Sequence, residues 1–301
     1  MAKAVFATKI VPAYDDLPEV RYHFPHTYLS RVEQAVGDWI VYYEPGRTGA
    51  GSQRGGRLSY FATARIQRIE RDPAKDKHYY AFVDNYLEFD RAVPFKDGQH
   101  YYESALRRED GTTETQSFRN AVRIISNAEY DLILQSGFTK TLEIMQPRPD
   151  LRQEQVMGFA EEAIEFGRPI IERVVARPFR DAAFAVAIKE AYSDTCAMTG
   201  LKIINGGGRA EVQAAHIRPV ADHGPDSLRN GLALSGTAHW MFDRGLISID
   251  DDFSILVAKD RLPDTALRLL NENQRLILPQ REDMKPHPRY LGFHRENIFK
   301  G

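Results

Sequence analysis

The first third of the chain alternates runs of β-branched and aromatic residues with Gly, Pro and Asp. Runs of this kind, bounded by turn-forming residues, are typical of β-strands. The pattern therefore predicts a β-barrel-like N-terminal region, whose strands are AKAVFATKIV, GDWIVYYEP, RLSYFATARIQRI and HYYAFVDNYLEF.

Helical patterns interrupt and close this region. One helix is predicted from Thr27 to Ala35, after Pro25. A second is predicted to begin at Ser126, because Glu129 three residues on completes a capping-box signature. We expect the N-terminal domain to end near residue 145.

A polar, proline-bearing stretch, MQPRPDLRQEQ, follows and is typical of a linker. Helical patterns then cover about residues 152 to 166 and 181 to 193. A chain of 301 residues exceeds what one hydrophobic core usually organises, so two domains are expected. The predicted fold class is α+β, with an N-terminal domain at 1–145, a linker containing a helix at 146–180 and a C-terminal domain at 181–301.

The C-terminal region contains a dense polar motif, EVQAAHIRPVADHGPDSLRNGLALSGTAHWMFDRGLISI. EVQAAH predicts a short strand that ends at His216 and is stopped by Pro219. A polar loop runs to Asn230, and LAL predicts a second strand. Ser235 then suits the N-cap of a helix, and Gly245 suits its C-terminal exit.

The polar residues of this motif suit hydrolytic chemistry. His239 and Asp243 are four residues apart, so on a helix both point to one side and can share a divalent cation. His216 would supply a neutral imidazole that takes a proton from water near neutral pH. Asn230 cannot act as a base, but its amide can tie the loop and orient the His216 ring.

The order AAHI-x-P, NGLAL and H-x-x-FDRG resembles the HNH, or ββα-metal, nuclease family over about residues 196 to 258. The resemblance implies that His216 is the general base, that Asn230 is structural, and that His239 and Asp243 bind the metal. It also implies a divalent ion, with Mg²⁺ expected and Mn²⁺ or another transition metal as alternatives.

Two positions depart from many members of that family. Ala215 stands directly before the base, where many HNH nucleases have a metal-binding Asp or His, so ligation would fall on the helix and water. Cys196 is the chain's single cysteine, which excludes the paired CxxC knuckles of relatives that bind structural zinc. We therefore expect no structural zinc and a buried Cys196.

A basic window covers residues 45 to 69, which hold five arginines, five glycines and no acidic residue. Arginines on a glycine-rich loop can contact phosphate or guanine, which makes Arg47, Arg54 and Arg57 candidates for DNA contacts. A solvated basic loop explains the window equally well.

Aromatic residues are dense in the same region. A pocket that holds an extruded base needs two or three facing rings. The alternative for each ring is an ordinary place in the core. The candidates for such a base pocket are Tyr22, Phe24, Trp39, Tyr43 and Tyr60.

The layout of residues 1–145 resembles the PUA superfamily, particularly its EVE and related modified-base readers, although it carries no diagnostic motif. Such a reader joined to an HNH domain resembles modification-dependent restriction endonucleases. The resemblance implies double-stranded DNA with a modified cytosine, 5-methyl or 5-hydroxymethyl, as the partner, and base flipping as the means of recognition. Because one HNH site cuts one strand, a homodimer is expected.

Composition narrows these possibilities. Forty basic and 42 acidic residues give a net charge of -2, which argues against a surface that is basic throughout. A single cysteine fits the reducing cytoplasm, and no apolar stretch approaches the roughly 20 residues that cross a membrane. Two alternatives stay open: a non-catalytic PUA protein that binds RNA or DNA, and an HNH nuclease indifferent to base modification.

Overall fold

The computed structural model describes residues 2–8, 17–46, 57–146, 170–259 and 261–301. The chain divides into two compact units, Met1–Ala183 and Phe184–Gly301. The helix predicted at 152–166 lies outside the described residues, as do Arg47 and Arg54. The predicted domain limits at 145 and 181 stay predictions.

The N-terminal unit is built on one large sheet, a two-stranded ribbon and short helices. Its strands are β1 (Lys3–Ala7), β2 (Arg21–Pro25), β3 (Trp39–Glu44), β4 (Ser59–Arg71), β5 (His78–Pro94), β6 (Lys96–Asp97), β7 (His100–Tyr101) and β8 (Val122–Ile125). Its helices are α1 (Leu29–Gln34), α2 (Asn127–Gly137), α3 (Thr139–Ile144) and α4 (Ile170–Val175). The next helix, α5 (Arg177–Ala191), contains the division between the units.

The large sheet has six strands in the order β2-β5-β4-β3-β1-β8. The β1/β3 pair is parallel and the other pairs are antiparallel. Register shifts in the β3/β4 and β4/β5 pairs mark bulges, which bend strands and help the sheet to curl. The four predicted strand runs thus correspond to β1, β3, β4 and β5, while among the described residues the sheet ends at β2 and β8 and does not close. A PUA-like barrel stays a prediction.

Side chains alternate between two cores on the two faces of this sheet. Ile40 and Tyr42 pack in one core with Val32 of α1. Val41 and Tyr43 pack in the other, which also holds the buried face of α2. Because both faces are covered, β3 reads as a continuous apolar run and is buried over its whole length.

The helix predicted to begin at Ser126 is confirmed. Ser126 is the N-cap of α2, and its hydroxyl accepts from the Glu129 backbone N–H. The Glu129 carboxylate accepts from the Ser126 backbone N–H at 2.7 Å, which completes the capping box. The predicted helix at 27–35 corresponds to a 3-10 turn, His26–Tyr28, followed by α1.

The C-terminal unit contains two short hairpins and four helices, counted within the described residues and with the end of α5 included. Its remaining elements are β9 (Gln213–His216), β10 (Gly231–Leu234), α6 (Gly236–Asp243), β11 (Ile247–Ile249), β12 (Ile255–Val257), α7 (Asp264–Leu267) and α8 (Pro288–Asn297). β9 pairs with β10 and β11 with β12, both antiparallel. One core joins the hairpins, α5, α6 and α8, and it includes the buried Cys196.

Helix α6 ends where the sequence predicts. Gly245 has φ of 69°, and a Cβ there would lie 2.0 Å from the Ile298 carbonyl oxygen. The position therefore needs glycine for both conformation and space. Within the described ranges, no helix is long and apolar enough to span a membrane.

Candidate active site

The β9/β10 hairpin and α6 form a ββα unit that presents the polar motif. His216 is the last residue of β9 and pairs with Gly231 at the start of β10. Directly after the pair, the Ile217 N–H donates to the Asn230 carbonyl at 2.9 Å. The polar loop thus leaves and re-enters the hairpin beside His216.

Two contacts hold the His216 ring. Its Nε2 lies 2.9 Å from Oδ1 of Asp226, whose side chain is only 3% exposed. Its face stacks on Phe184 of α5, with centroids 4.0 Å apart and planes 14° apart. The imidazole is 16% exposed and therefore still open to small molecules such as water.

Asn230 lies at the centre of the loop and is fully buried. Its Oδ1 accepts from the Arg218 N–H at 2.9 Å, and its Nδ2 donates to the carbonyls of Arg218 and Pro225 at 3.0 and 2.9 Å. The loop closes so tightly that a Cβ on Gly224 would lie 1.8 Å from the Arg218 carbonyl oxygen. Asn230 therefore ties both ends of the loop, whereas the His216 ring is held by Asp226 and Phe184.

Helix α6 carries His239 and Asp243. Nε2 of His239 lies 3.4 Å from Oδ2 of Asp243, one turn further along. Nδ1 of His239 lies 2.8 Å from Oε1 of Gln213, on β9. An amide oxygen accepts a hydrogen bond, so this contact puts the ring proton on Nδ1 and leaves Nε2 with its lone pair.

The start of α6 differs from the expected cap. Ser235 is the N-cap residue, but its side chain makes no capping hydrogen bond. Its hydroxyl instead lies 3.6 Å from the Cys196 sulfur. The Glu211 carboxylate accepts from the Gly236 N–H at 2.8 Å and so supplies the acceptor that was expected from Ser235.

The helix pair has the spacing of two ligands of one cation. Ligand atoms about 2.1 Å from a metal, at angles of about 90–110°, lie about 3.0–3.4 Å apart. The 3.4 Å between His239 Nε2 and Asp243 Oδ2 matches that distance. The described residues contain no group of three or more His, Cys, Asp or Glu placed for a metal, so water or substrate oxygens would complete the shell.

The histidines and Asp243 surround one cleft of about 370 Å³. Its lining includes His216, His239, Asp243, Pro219, Val220 and His294. Ala215 is fully buried in the core, and Ala214 lines the cleft instead. Position 215, directly before His216, therefore offers no metal ligand, because its side chain is a methyl group.

His294 of α8 is a buried neutral neighbour of this cleft. Its Nε2–H donates to the Phe242 carbonyl at 3.1 Å, and Nδ1 lies 2.9 Å from the Ser248 hydroxyl. Burial lowers the pKa of His294 to about 4. With both nitrogens engaged and the ring stacked on Phe242, His294 fastens α8 to the end of α6.

Sequence reasoning missed Asp226, Gln213 and Phe184. Asp226 is one of several acidic residues in the motif, and Gln213 looks like an ordinary exposed strand residue. Phe184 is distant from the motif along the chain. The available signal was weak: a strand that ends in a histidine, followed within ten residues by a carboxylate.

The aromatic residues proposed for a base pocket are all buried, and they fall into two separate sets. Tyr22 and Phe24 belong to one core of the N-terminal unit. Trp39, Tyr43 and Tyr60 belong to the other. Since the sheet separates the two sets, they do not line one cavity, and their burial matches the alternative that they are core residues.

Arg57, the one described member of the three candidate DNA-contacting arginines, is engaged within the unit. Its guanidinium pairs with the buried Glu44 carboxylate and lies 5.1 Å from the Phe61 ring centroid. A buried carboxylate needs a partner, so these contacts give Arg57 a structural role.

Residues 196–250 match the HNH endonuclease family. The C-terminal unit therefore carries an HNH endonuclease domain, and the matched segment contains His216, Asn230, His239 and Asp243. No curated protein matches the chain.

Several solved structures are similar in part. The modification dependent TagI restriction endonuclease aligns over 97% of this chain and 81% of its own, with 14% identity and a TM-score of 0.30. The N-terminal domain of Staphylothermus marinus McrB aligns over 44% of this chain and 92% of its own, with 9% identity and a TM-score of 0.29. The Type IV phosphorothioation-dependent restriction endonuclease ScoMcrA aligns over 79% and 46%, with 14% identity and a TM-score of 0.19.

Proposed function

We propose that this chain is a divalent-metal-dependent endonuclease that hydrolyses DNA phosphodiesters. The observation that carries the proposal is the cleft of the family-matched segment, where His216, His239 and Asp243 meet. We assign one imidazole to proton acceptance, and we assign a second imidazole and a carboxylate, which lie 3.4 Å apart, to the cation. Phosphodiester hydrolysis needs these two functions.

In this proposal His216 takes a proton from a water molecule in the cleft. The water oxygen forms a bond to phosphorus as the opposite P–O bond breaks, and the departing sugar oxygen leaves with the bonding electrons and takes a proton from solvent. His239 and Asp243 would hold the divalent ion, which when bound stabilises the phosphoryl charge and the leaving oxygen.

The test is cleavage of plasmid DNA by the full chain with Mg²⁺ or Mn²⁺. His216→Ala should lower the cleavage rate by about 10²–10⁴-fold, because general-base catalysis contributes on that order, while DNA binding stays unchanged. His223→Asn is the matched control: His223 lies in the same loop, is exposed, and has φ of 63°, which Asn tolerates. If His216→Ala still cleaves DNA at the wild-type rate, His216 is not the general base. If cleavage continues after the metal is chelated, the reaction does not depend on a divalent metal.

We propose further that the N-terminal unit directs this activity to DNA with a modified cytosine. The support is the resemblance of residues 1–145 to modified-base readers of the PUA superfamily and the compaction of residues 1–183 as a unit of its own. Extruding a base costs a few kcal/mol, which a pocket recovers only for the right base.

Paired plasmids that differ only in cytosine methylation or hydroxymethylation test this second step. Selective cutting of a modified plasmid is the expected result. Equal cutting of both plasmids would support nuclease activity and refute recognition of modified cytosine by the N-terminal unit. Binding without any cutting by the wild-type chain would favour a non-catalytic nucleic-acid-binding protein.

A homodimer is the third part of the proposal, because one HNH site cuts one strand. Sedimentation of the chain on a short modified duplex tests it. Two copies per duplex together with double-strand breaks are expected, whereas one copy that only nicks would show that the monomer is the active form.

A further inference from the structure

We propose that Asp226 is a positioning residue that fixes the tautomer and orientation of His216, so that Nδ1 is the atom that takes the proton from water. This inference rests on the proposed nuclease function, which it refines by naming the reacting nitrogen and the residue that selects it.

The hydrogen bond determines where the ring proton lies. His216 Nε2 is 2.9 Å from Asp226 Oδ1. An ionised carboxylate can only accept, so Nε2 must carry the hydrogen. A neutral imidazole has one ring hydrogen, and Nδ1 is therefore left with the lone pair that a general base needs.

The orientation is fixed by two independent contacts. Stacking on Phe184, at 4.0 Å and 14°, fixes the plane of the ring. The bond to Asp226 fixes its rotation within that plane. The packing behind the ring is tight: a Cβ on the paired Gly231 would lie 2.8 Å from the Phe184 ring. Phe184 therefore has little room to move away from the hairpin that carries His216.

Asp226 is itself held on both sides. The preceding residue, Pro225, accepts the Asn230 Nδ2–H at 2.9 Å. The following residue, Ser227, is fully buried and accepts the Arg229 N–H through its hydroxyl. The carboxylate thus sits on a backbone that Asn230 and Ser227 fasten to the rest of the loop, which explains how a loop residue can orient a base.

The negative charge of Asp226 also favours His216 as a general base. When Nδ1 takes the proton, the ring becomes an imidazolium next to a carboxylate that is 3% exposed. Little water screens that pair, so the attraction is stronger than at the surface. The proton stays on His216 Nδ1 and Asp226 stays ionised, which is the division of roles known from Ser-His-Asp triads.

The first measurement reads the tautomer without any cleavage. Nitrogen-15 chemical shifts of the imidazoles are recorded on the metal-free full chain at about pH 8, where an ordinary imidazole is neutral. The His216 signals are assigned by their loss in His216→Gln. Protonated Nε2 with unprotonated Nδ1 supports the proposal, and the opposite tautomer overturns it even if the protein cleaves no DNA.

The second measurement uses Asp226→Asn, which keeps the shape and removes the charge. We expect kcat to fall by about 10²–10⁴-fold with KM for DNA unchanged. We also expect the His216 tautomer to become mixed or reversed, because the Asn side chain can present a donor to Nε2. A merely structural loss would change stability and KM without changing the tautomer.

Asp283→Asn is the matched control, since Asp283 lies in the same unit and pairs with Arg281 through both oxygens. It should leave kcat and the His216 shifts unchanged. If the wild-type chain cleaves DNA and Asp226→Asn cleaves at the same rate with the same tautomer, the positioning role is refuted and the nuclease function stands. If no wild-type cleavage is found, the tautomer measurement still decides the structural half of the proposal.

Discussion

Asn230→Ala should destabilise the C-terminal unit by about 2–4 kcal/mol. The side chain is fully buried and makes three hydrogen bonds to backbone groups of the loop after His216. Alanine removes all three without a replacement. The perturbation therefore tests whether the loop is held by this one amide.

The magnitude follows from the bonds. Each neutral hydrogen bond contributes about 0.5–1.5 kcal/mol net, so three contribute about 2–4 kcal/mol. A backbone group that is left buried and unpaired costs about 1–3 kcal/mol instead, so the upper end applies where water does not enter. Asn230→Asp is a second test. It keeps the acceptor for the Arg218 N–H, but it puts a carboxylate oxygen in place of Nδ2, 3.0 and 2.9 Å from the carbonyl oxygens of Arg218 and Pro225.

Hydrogen exchange at the Arg218 amide and urea unfolding measure the effect. Asn230→Ala should lose protection at that amide. Asn230→Asp should keep it at low pH and become less stable as pH rises, because the repulsion raises the pKa of the introduced carboxyl and the folded chain then binds more protons than the unfolded one.

Asn271→Ala is the control. Asn271 also bonds both backbone groups of one residue, Arg275, but at an exposed site. It should cost less than about 1 kcal/mol and leave cleavage unchanged. If Asn230→Ala costs as little as Asn271→Ala and Arg218 stays protected, then Asn230 does not hold the loop and the reasoning from its three bonds is wrong.

Three further predictions concern other parts of the molecule. Gln213→Ala should weaken Mn²⁺ binding by about 10–100-fold in calorimetry, because Gln213 orients His239; equal affinity would contradict that role. Glu103→Gln should lower the unfolding free energy of the N-terminal unit by about 3–5 kcal/mol in urea, because it removes the carboxylate that pairs with the buried Arg123 guanidinium. A change below about 1 kcal/mol would show that this buried ion pair does not stabilise the unit. The pKa of His294 is lowered from 6.5 to about 4, so the unfolded chain binds more protons between these values and His294 should cost the C-terminal unit up to about 3 kcal/mol as pH falls through that window. Burial lowers the pKa of His287 in the same way and adds a similar loss, so His294→Gln should roughly halve the total; an unchanged pH dependence would show that His294 is not a source.

The local elements were predictable because their signals are local. Ser126 and Glu129 are three residues apart and form the predicted capping box. Strand runs such as GDWIVYYEP follow from residue type, and β3 lies within that run. Closure of a barrel depends on pairing between β2 and β8, which are about a hundred residues apart, and no period along the chain encodes it.

The aromatic residues show why a pocket is harder to predict from a sequence than a strand. Trp39 and Tyr43 share one face of β3, and Tyr60 pairs with Tyr43 across the sheet. Tyr22 and Phe24 lie in the core on the other face. The sequence indicates which residues alternate along a strand, but not whether a face meets a cavity, a helix or solvent, because that depends on elements distant in the chain.

The motif also could not show how its two histidines differ. Nε2 of His216 contacts Asp226, which leaves the lone pair on Nδ1, whereas Nδ1 of His239 contacts Gln213, which leaves the lone pair on Nε2. The partner types match the proposed roles. A carboxylate stabilises the positive ring that a base becomes, while a neutral amide orients a ring without favouring its protonation, and a metal ligand must stay neutral. The two histidines thus present different ring nitrogens to the cleft's chemistry in the proposed mechanism, because their hydrogen-bond partners differ.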